Sequence, residues 1–324
     1  MKAVNSTSDK LISIVGDDKT SSRAKPSLVI VGETSSANVE YVAVQESATL
    51  TPAKVKLAKP YVEPTASELK TKAFFQTVLP PVFGLFLLLM IWTLISFQSP
   101  NLPTPISTFK SAVVLFSDPF YVNGPNDQGI GWNIVASLQR VALGFGLAAI
   151  VGIPLGFIIG RFQFMSRMMA PIIGILKPVS PLAWLPIGLL VFKAANPAAI
   201  WVIFISAIWP MIINTAVGVS KVPEDYMNVA KVLNLSEWKI VTKILFPYVL
   251  PYMMTGVRLS IGVAWLVIVA AEMLTGGVGI GFWVWDEWNN LNVEHIIIAI
   301  FVVGIIGLLL ELMLTQIAKR FNYE

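Results

Sequence analysis

Six long, mainly apolar runs dominate this chain: Val78–Phe97, Ile134–Ile159, Met168–Phe192, Ala198–Val219, Tyr248–Leu274 and Ile296–Ala318. A hydrocarbon core about 30 Å thick is crossed by about 20 apolar residues in a helix, so each run is long enough to span. A spanning β-barrel would show segments of about ten residues alternating in polarity, and these runs are continuous. The expected fold is therefore an all-α integral membrane protein with about six transmembrane helices. Composition agrees: 55% of residues are hydrophobic and only 13% charged, against about 25% charged in soluble domains. That balance excludes an ordinary soluble enzyme, a nucleic-acid-binding protein and a disordered scaffold.

The bases set a direction. If the N-terminus is cytoplasmic, one set of flanks carries Lys54, Lys56, Lys59, Lys70, Lys72, Arg161, Arg167, Lys221, Lys231, Lys239, Lys243, Lys319 and Arg320, and the opposite set carries only Lys110 and Lys193. Lys and Arg accumulate in cytoplasmic loops, so both termini are expected inside a multi-pass protein of the plasma (inner) membrane. The first apolar run, Leu11–Val15, is shorter than the roughly 7–15 residues of a secretory signal core. Residues 1–72 are rich in Ser, Thr, Lys and Pro and read as a largely disordered cytoplasmic tail, leaving 73–324 as the membrane domain. With no Cys and the single His295, neither a thiolate nor a His-rich metal site is expected, and no catalytic residue is assigned.

Most connections are short, but residues 220–247 form a long polar segment on the base-rich side. After Pro223, residues Tyr226, Val229, Ala230, Leu233 and Leu235 share one helical face. Ser236 then marks a second start before Trp238, Ile240, Val241, Ile244 and Leu245. The expectation is two short amphipathic helices outside the bilayer, whose apolar face fits a groove on a cytoplasmic partner.

This segment resembles the cytoplasmic signature of ABC-importer permeases, which reads Glu-Ala-Ala, three residues, Gly, nine residues, Ile, one residue, Leu-Pro. Here Asn228-Val229-Ala230 falls on the triplet, Asn234 on the glycine, and Ile244 and Phe246-Pro247 on the end. Ala230, Ile244 and Pro247 match; Asn228, Val229, Asn234 and Phe246 depart. LKPVSPLAWLP from Leu176, PYMMTGVRLSIGVAWLVIVAAEML from Pro251 and GVGIGFWVWD from Gly277 are similar to the nitrate/sulfonate/taurine/bicarbonate branch, and NVAKVL to its cyanobacterial nitrate and bicarbonate members. The resemblance covers about residues 75–320. It implies the type I importer permease architecture and a transport subunit that is not itself an enzyme. It also implies a second permease copy, two cytoplasmic ATP-binding subunits carrying ATP and Mg, and an extracytoplasmic substrate-binding lipoprotein. The coupling residues it implies are Asn228, Val229, Ala230, Lys231, Leu233, Asn234 and Leu235. No G-x-x-x-x-G-K-[ST] phosphate loop occurs here, so no cofactor is expected in this chain.

Charges within spans are costly and mark candidate sites. Lys177 directly precedes Pro178, with Pro181 and Pro186 following; prolines kink a helix, and irregular backbone at depth survives where it is buried or lines a cavity. Lys177 either faces an anion pathway or snorkels to headgroups. Arg140 either collects anions near the external face or reaches the interface. Arg258, Gly262, Trp265, Val269 and Glu272 form one helical stripe, with Arg258 and Glu272 about 21 Å apart along it. Three bases against Glu272 and Glu311 favour an anion. The substrate expected first is nitrate with nitrite, then bicarbonate, then a sulfonate such as taurine. A secondary transporter or channel would leave the long polar segment unexplained. Finally, Ala148, Gly152, Gly156 and Gly160 recur every four residues, a spacing that lets helices approach closely, and Gly277–Gly281 reads as a hinge into a short helix.

Overall fold

The computed structural model describes residues 66–99 and 101–320; the reading of residues 1–65 as a tail lies outside the described residues. The described residues form eleven α-helices: α1 (Ala66–Gln98), α2 (Pro105–Leu115), α3 (Ile130–Arg161), α4 (Gln163–Leu176), α5 (Leu185–Phe192), α6 (Ala195–Ser220), α7 (Glu224–Val232), α8 (Glu237–Ile240), α9 (Phe246–Thr275), α10 (Ile280–Asn289) and α11 (Val293–Lys319). No named strand occurs among them, only an isolated bridge between Val122 and Gln128. Among the described residues five helices are long and apolar enough to cross a membrane, or six where the bent pair counts as one span.

One expectation is sharpened and another corrected. The third span, expected to kink at its prolines, is broken there, with Gln163–Leu176 and Pro181–Phe192 meeting at 95°. Ser180, before Pro181, is extended at φ −55°, ψ 128°, the conformation that a following proline ring favours. The second cytoplasmic helix is not separate. From Glu237 the chain runs through α8 and a π-turn (Val241–Leu245) directly into α9, one continuous 39-residue helix. One inserted residue in the turn lets Ile240 and Leu245 both face inward, at 5% and 1% exposure. In addition α1 begins at Ala66, inside the stretch read as tail.

The core is α3, α6 and α9, and glycine lets their backbones meet. A methyl group on Gly156 would stand 2.6 Å from the Thr215 Cβ, and on Gly160 2.6 Å from the Ala216 carbonyl. The four-residue glycine spacing thus packs α3 against α6 within the chain. On the next interface Gly256 of α9 takes the Pro210 carbonyl and Asn214 of α6 as neighbours, and Ser260 Oγ donates to the Ala207 carbonyl at 2.6 Å. Ile203, Met211 and Ile268 are fully enclosed there. In contrast, the membrane-length part of α1 buries none of its most apolar window; Trp92 Nε1 donates to the Pro103 carbonyl and Ser96 Oγ to that of Leu102, anchoring its end.

Candidate functional site

The densest polar structure lies where α9 gives way to α10. Gly276 and Gly277 adopt φ of 76° and 90°, a left-handed turn that glycine makes at no steric cost. The first N–H groups of the following helix have no partners within it. Side chains from α3 and α9 supply them: Gly279 N–H donates to Asn133 Oδ1 at 2.8 Å, Ile280 N–H to Ser137 Oγ at 2.9 Å and Gly281 N–H to Glu272 Oε2 at 3.0 Å. A Cβ at Gly279 would overlap the Glu272 carboxyl, and one at Gly281 the Val269 carbonyl. Glu272 is 1% exposed and also accepts from Ser137 Oγ at 2.8 Å and Arg140 at 2.6 Å. Arg140 donates further to the Val278 carbonyl at 2.7 Å and to Asn196 on α6. A buried carboxylate is thereby matched by one cation and two neutral donors, as a buried charge must be.

The structure joins Arg140 to Glu272 and leaves the other expected site residues apart from them. Arg258 is exposed and its guanidinium lies 3.9 Å from Glu311. Trp265 is 3% exposed, donates to the Val303 carbonyl at 2.9 Å and rests on Gly307. The stripe on α9 therefore faces the interior at Trp265 and Glu272, while Arg258 and Gly262 are exposed. Lys177 caps α4 at the bend and is exposed; it has no ion pair among the described residues. With two of the three bases set against acids, the expected cluster of positive charge reduces to Lys177. Asn133, Ser137 and Asn196 were missed, yet Asn133, Ser137 and Arg140 fall at i, i+4 and i+7 of an apolar helix, a polar stripe readable in advance.

At the opposite end of the core, α7 follows α6 after a short turn. Its end is a Schellman cap: Leu235 N–H donates to the Ala230 carbonyl and Asn234 N–H to that of Lys231, each at 3.0 Å. Asn234 takes φ 47° at the position where the importer signature has glycine. Ala230 is fully buried, and Leu235 packs with it against Val219, Leu245 and Val249. Asn228, Val229, Lys231, Leu233 and Asn234 are exposed. Val229, Val232 and Leu233 present 57%, 85% and 63% of their surface, an apolar face left uncovered by the described residues. Arg161, ending α3, holds Glu237 at 3.0 Å.

A recess of about 450 Å³ beside α10 is lined by Tyr121, Asp127, Asp286, Glu287 and Trp283, among others. Its three carboxylates make it unsuited to an anion. Burial, reinforced by Asp127, pushes the Tyr121 phenol above its ordinary value, so it stays neutral. Trp283 is 6% exposed and stacks on His295, which sits 3.0 Å from Glu287.

The described helices thus form a core with a polar knot at one end and an exposed apolar helix face at the other. Residues 152–323 match the family of binding-protein-dependent transport system inner membrane components, and the chain belongs to that family of ABC-importer permeases. It is 50% identical over 235 residues, 72% of this chain and 86% of the relative, to the nitrate import permease protein NrtB of Synechocystis sp.. It is 50% identical over 242 residues, 75% of this chain and 87% of the relative, to NrtB of Leptolyngbya laminosa. It is 47% identical over 238 residues, 72% and 85% of the two chains, to the bicarbonate transport system permease protein CmpB of Synechocystis sp.. An inward-facing MetNI methionine ABC transporter shares the fold, with a TM-score of 0.51 at 14% identity over 59% of this chain and 94% of that one.

Proposed function

We propose that this chain is the membrane subunit of a nitrate and nitrite importer that works by alternating access. The reading rests chiefly on its 50% identity to two nitrate import permeases. Two copies would pair across the membrane with both termini in the cytoplasm, the orientation favoured by the thirteen bases on one set of flanks. Two ATP-binding subunits, which carry ATP and Mg, would dock on α7 through Val229, Val232 and Leu233, whose exposed apolar face suits a helix-in-groove contact. A substrate-binding lipoprotein would deliver the anion from outside. Lys177, at the bend of the third span, is the cation best placed to draw it through.

Bicarbonate is the second reading, favoured by the 47% identity to a bicarbonate permease. ATP hydrolysis by the complex, purified gently from its own membrane and given nitrate, bicarbonate or a short alkyl sulfonate in turn, separates them. Stimulation by nitrate is expected. Stimulation by bicarbonate alone would replace the substrate, and the lack of any copurifying ATPase would remove the docking role of α7.

A further inference from the structure

Tryptophan indoles are donor-only groups, and three in this chain meet backbone carbonyls. Trp92 Nε1 reaches the Pro103 carbonyl, Trp132 Nε1 that of Phe120 at 2.9 Å, and Trp265 Nε1 that of Val303. Trp184 and Trp201 are different: both Nε1 atoms are shielded from solvent and neither meets an acceptor among the described residues. An unmet buried donor carries its full desolvation cost, so two in one place need an explanation.

They are in one place. Lys193, at φ 53°, and Ala194 form the turn between α5 and α6. Trp184 lies nine residues before Lys193 and Trp201 seven after Ala194. At about 1.5 Å per residue both stand about 10–14 Å from that turn. Both pack around Leu185, Ala198 and Val202, with Val267 of α9 alongside. Packing holds the Trp201 ring, which stacks on Phe204 at 5.8 Å and closes on Gly188, where a Cβ would stand 3.0 Å from it. Trp184 ends the 3₁₀ turn that follows the bend, seven residues after Lys177. Broken backbone at membrane depth is tolerated where it lines a pathway or is buried in protein.

We propose that the Trp184 and Trp201 indole N–H groups are the donors that select an acceptor-only oxyanion over one that carries a hydroxyl. This rests on the nitrate reading and deepens it. Nitrate offers three acceptor oxygens and no proton, so two N–H donors amid aliphatic side chains match it. Bicarbonate brings an O–H that finds no acceptor in that apolar setting, and sites with unmet polar groups discriminate strongly.

The test uses the intact complex with its ATPase and binding protein, titrated with nitrate and with bicarbonate. Trp184→Phe and Trp201→Phe remove the N–H, and benzothienylalanine at either position keeps the ring shape without it. Trp285→Phe, on α10, serves as control. Each N–H loss is expected to raise the half-stimulating nitrate concentration about tenfold and to shift the bicarbonate value far less, so the preference collapses. Benzothienylalanine complexes with wild-type nitrate response would overturn the assignment while leaving the nitrate reading intact. A wild-type complex answering to bicarbonate alone would overturn both. In 5-fluorotryptophan-labelled complex, the resonances of positions 184 and 201, assigned with the two Phe variants, are expected to move with nitrate. Resonances that stay still would overturn the assignment even where hydrolysis does not respond.

Discussion

The Arg140 guanidinium stands 2.6 Å from the Glu272 carboxylate, tying α3 to the end of α9 across 132 positions of chain. Because Glu272 also accepts from Gly281 N–H and Ser137, the pair fixes three helices at once. Arg140→Ala leaves a buried carboxylate without its cation, a change that costs about 3–5 kcal/mol. Adding Glu272→Gln removes the stranded charge while an amide oxygen still caps α10. The double variant is therefore expected to regain about 1–3 kcal/mol relative to additivity. Thermal unfolding of the two single variants and the double variant, purified in one detergent, reads this coupling; strict additivity would show that the pair is not energetically linked.

Glycine positions on α3 divide by what surrounds them. Gly156→Ala and Gly160→Ala drive a methyl group into Thr215 and Ala216 of α6 and are expected to destabilise by about 1–3 kcal/mol each. Gly146→Ala, with nothing within 4 Å, is expected to leave the melting temperature unchanged or slightly higher. Equal effects at 146 and 156 would mean that α3 and α6 do not pack through glycine.

The left-handed Asn234 gives a backbone test of the α7 cap. Asn234→Gly suits φ 47° and is expected to retain the ATPase. Asn234→Val forces a β-branched residue into a conformation costing about 1–2 kcal/mol, loosens the Schellman cap and reduces copurified ATPase. Full recovery with valine would separate the cap from docking.

Val232 is 85% exposed among the described residues. Val232→Asp is expected to leave the permease folded, with an unchanged melting temperature, yet abolish ATPase copurification, since an uncompensated charge cannot enter an apolar groove. Normal copurification would place the docking surface elsewhere.

Lys177→Gln removes the one cation at the bend of the third span. Transport in vesicles is expected to fall several-fold while the amount of assembled complex stays the same. Wild-type uptake would return Lys177 to the role of a headgroup-reaching side chain.

Periodicity and length made most of the architecture legible. The expected limits of the second, fourth, fifth and sixth spans lie within four residues of α3, α6, α9 and α11, because runs of apolar residues report burial in hydrocarbon directly. Pro178, Pro181 and Pro186 announced a break, though not its 95° angle. The glycine spacing on α3 announced a close helix contact but not its partner. Asn234 read only as a departure from the glycine of the importer signature, and the structure shows a left-handed backbone there.

What the sequence by itself determined is local: which segments are helical and apolar, where prolines interrupt them, and which end of the molecule gathers the bases. Helical spacing tells which residues share a face and says nothing of what that face meets. Only the tertiary structure decided that Arg140 pairs with Glu272, that α8 runs through a π-turn into α9 and that Trp265 is satisfied. It alone leaves the Trp184 and Trp201 indoles without acceptors among the described residues. Each of these depends on two distant segments arriving at one point, and that arrival is set by how closely α3, α6 and α9 approach through their glycines.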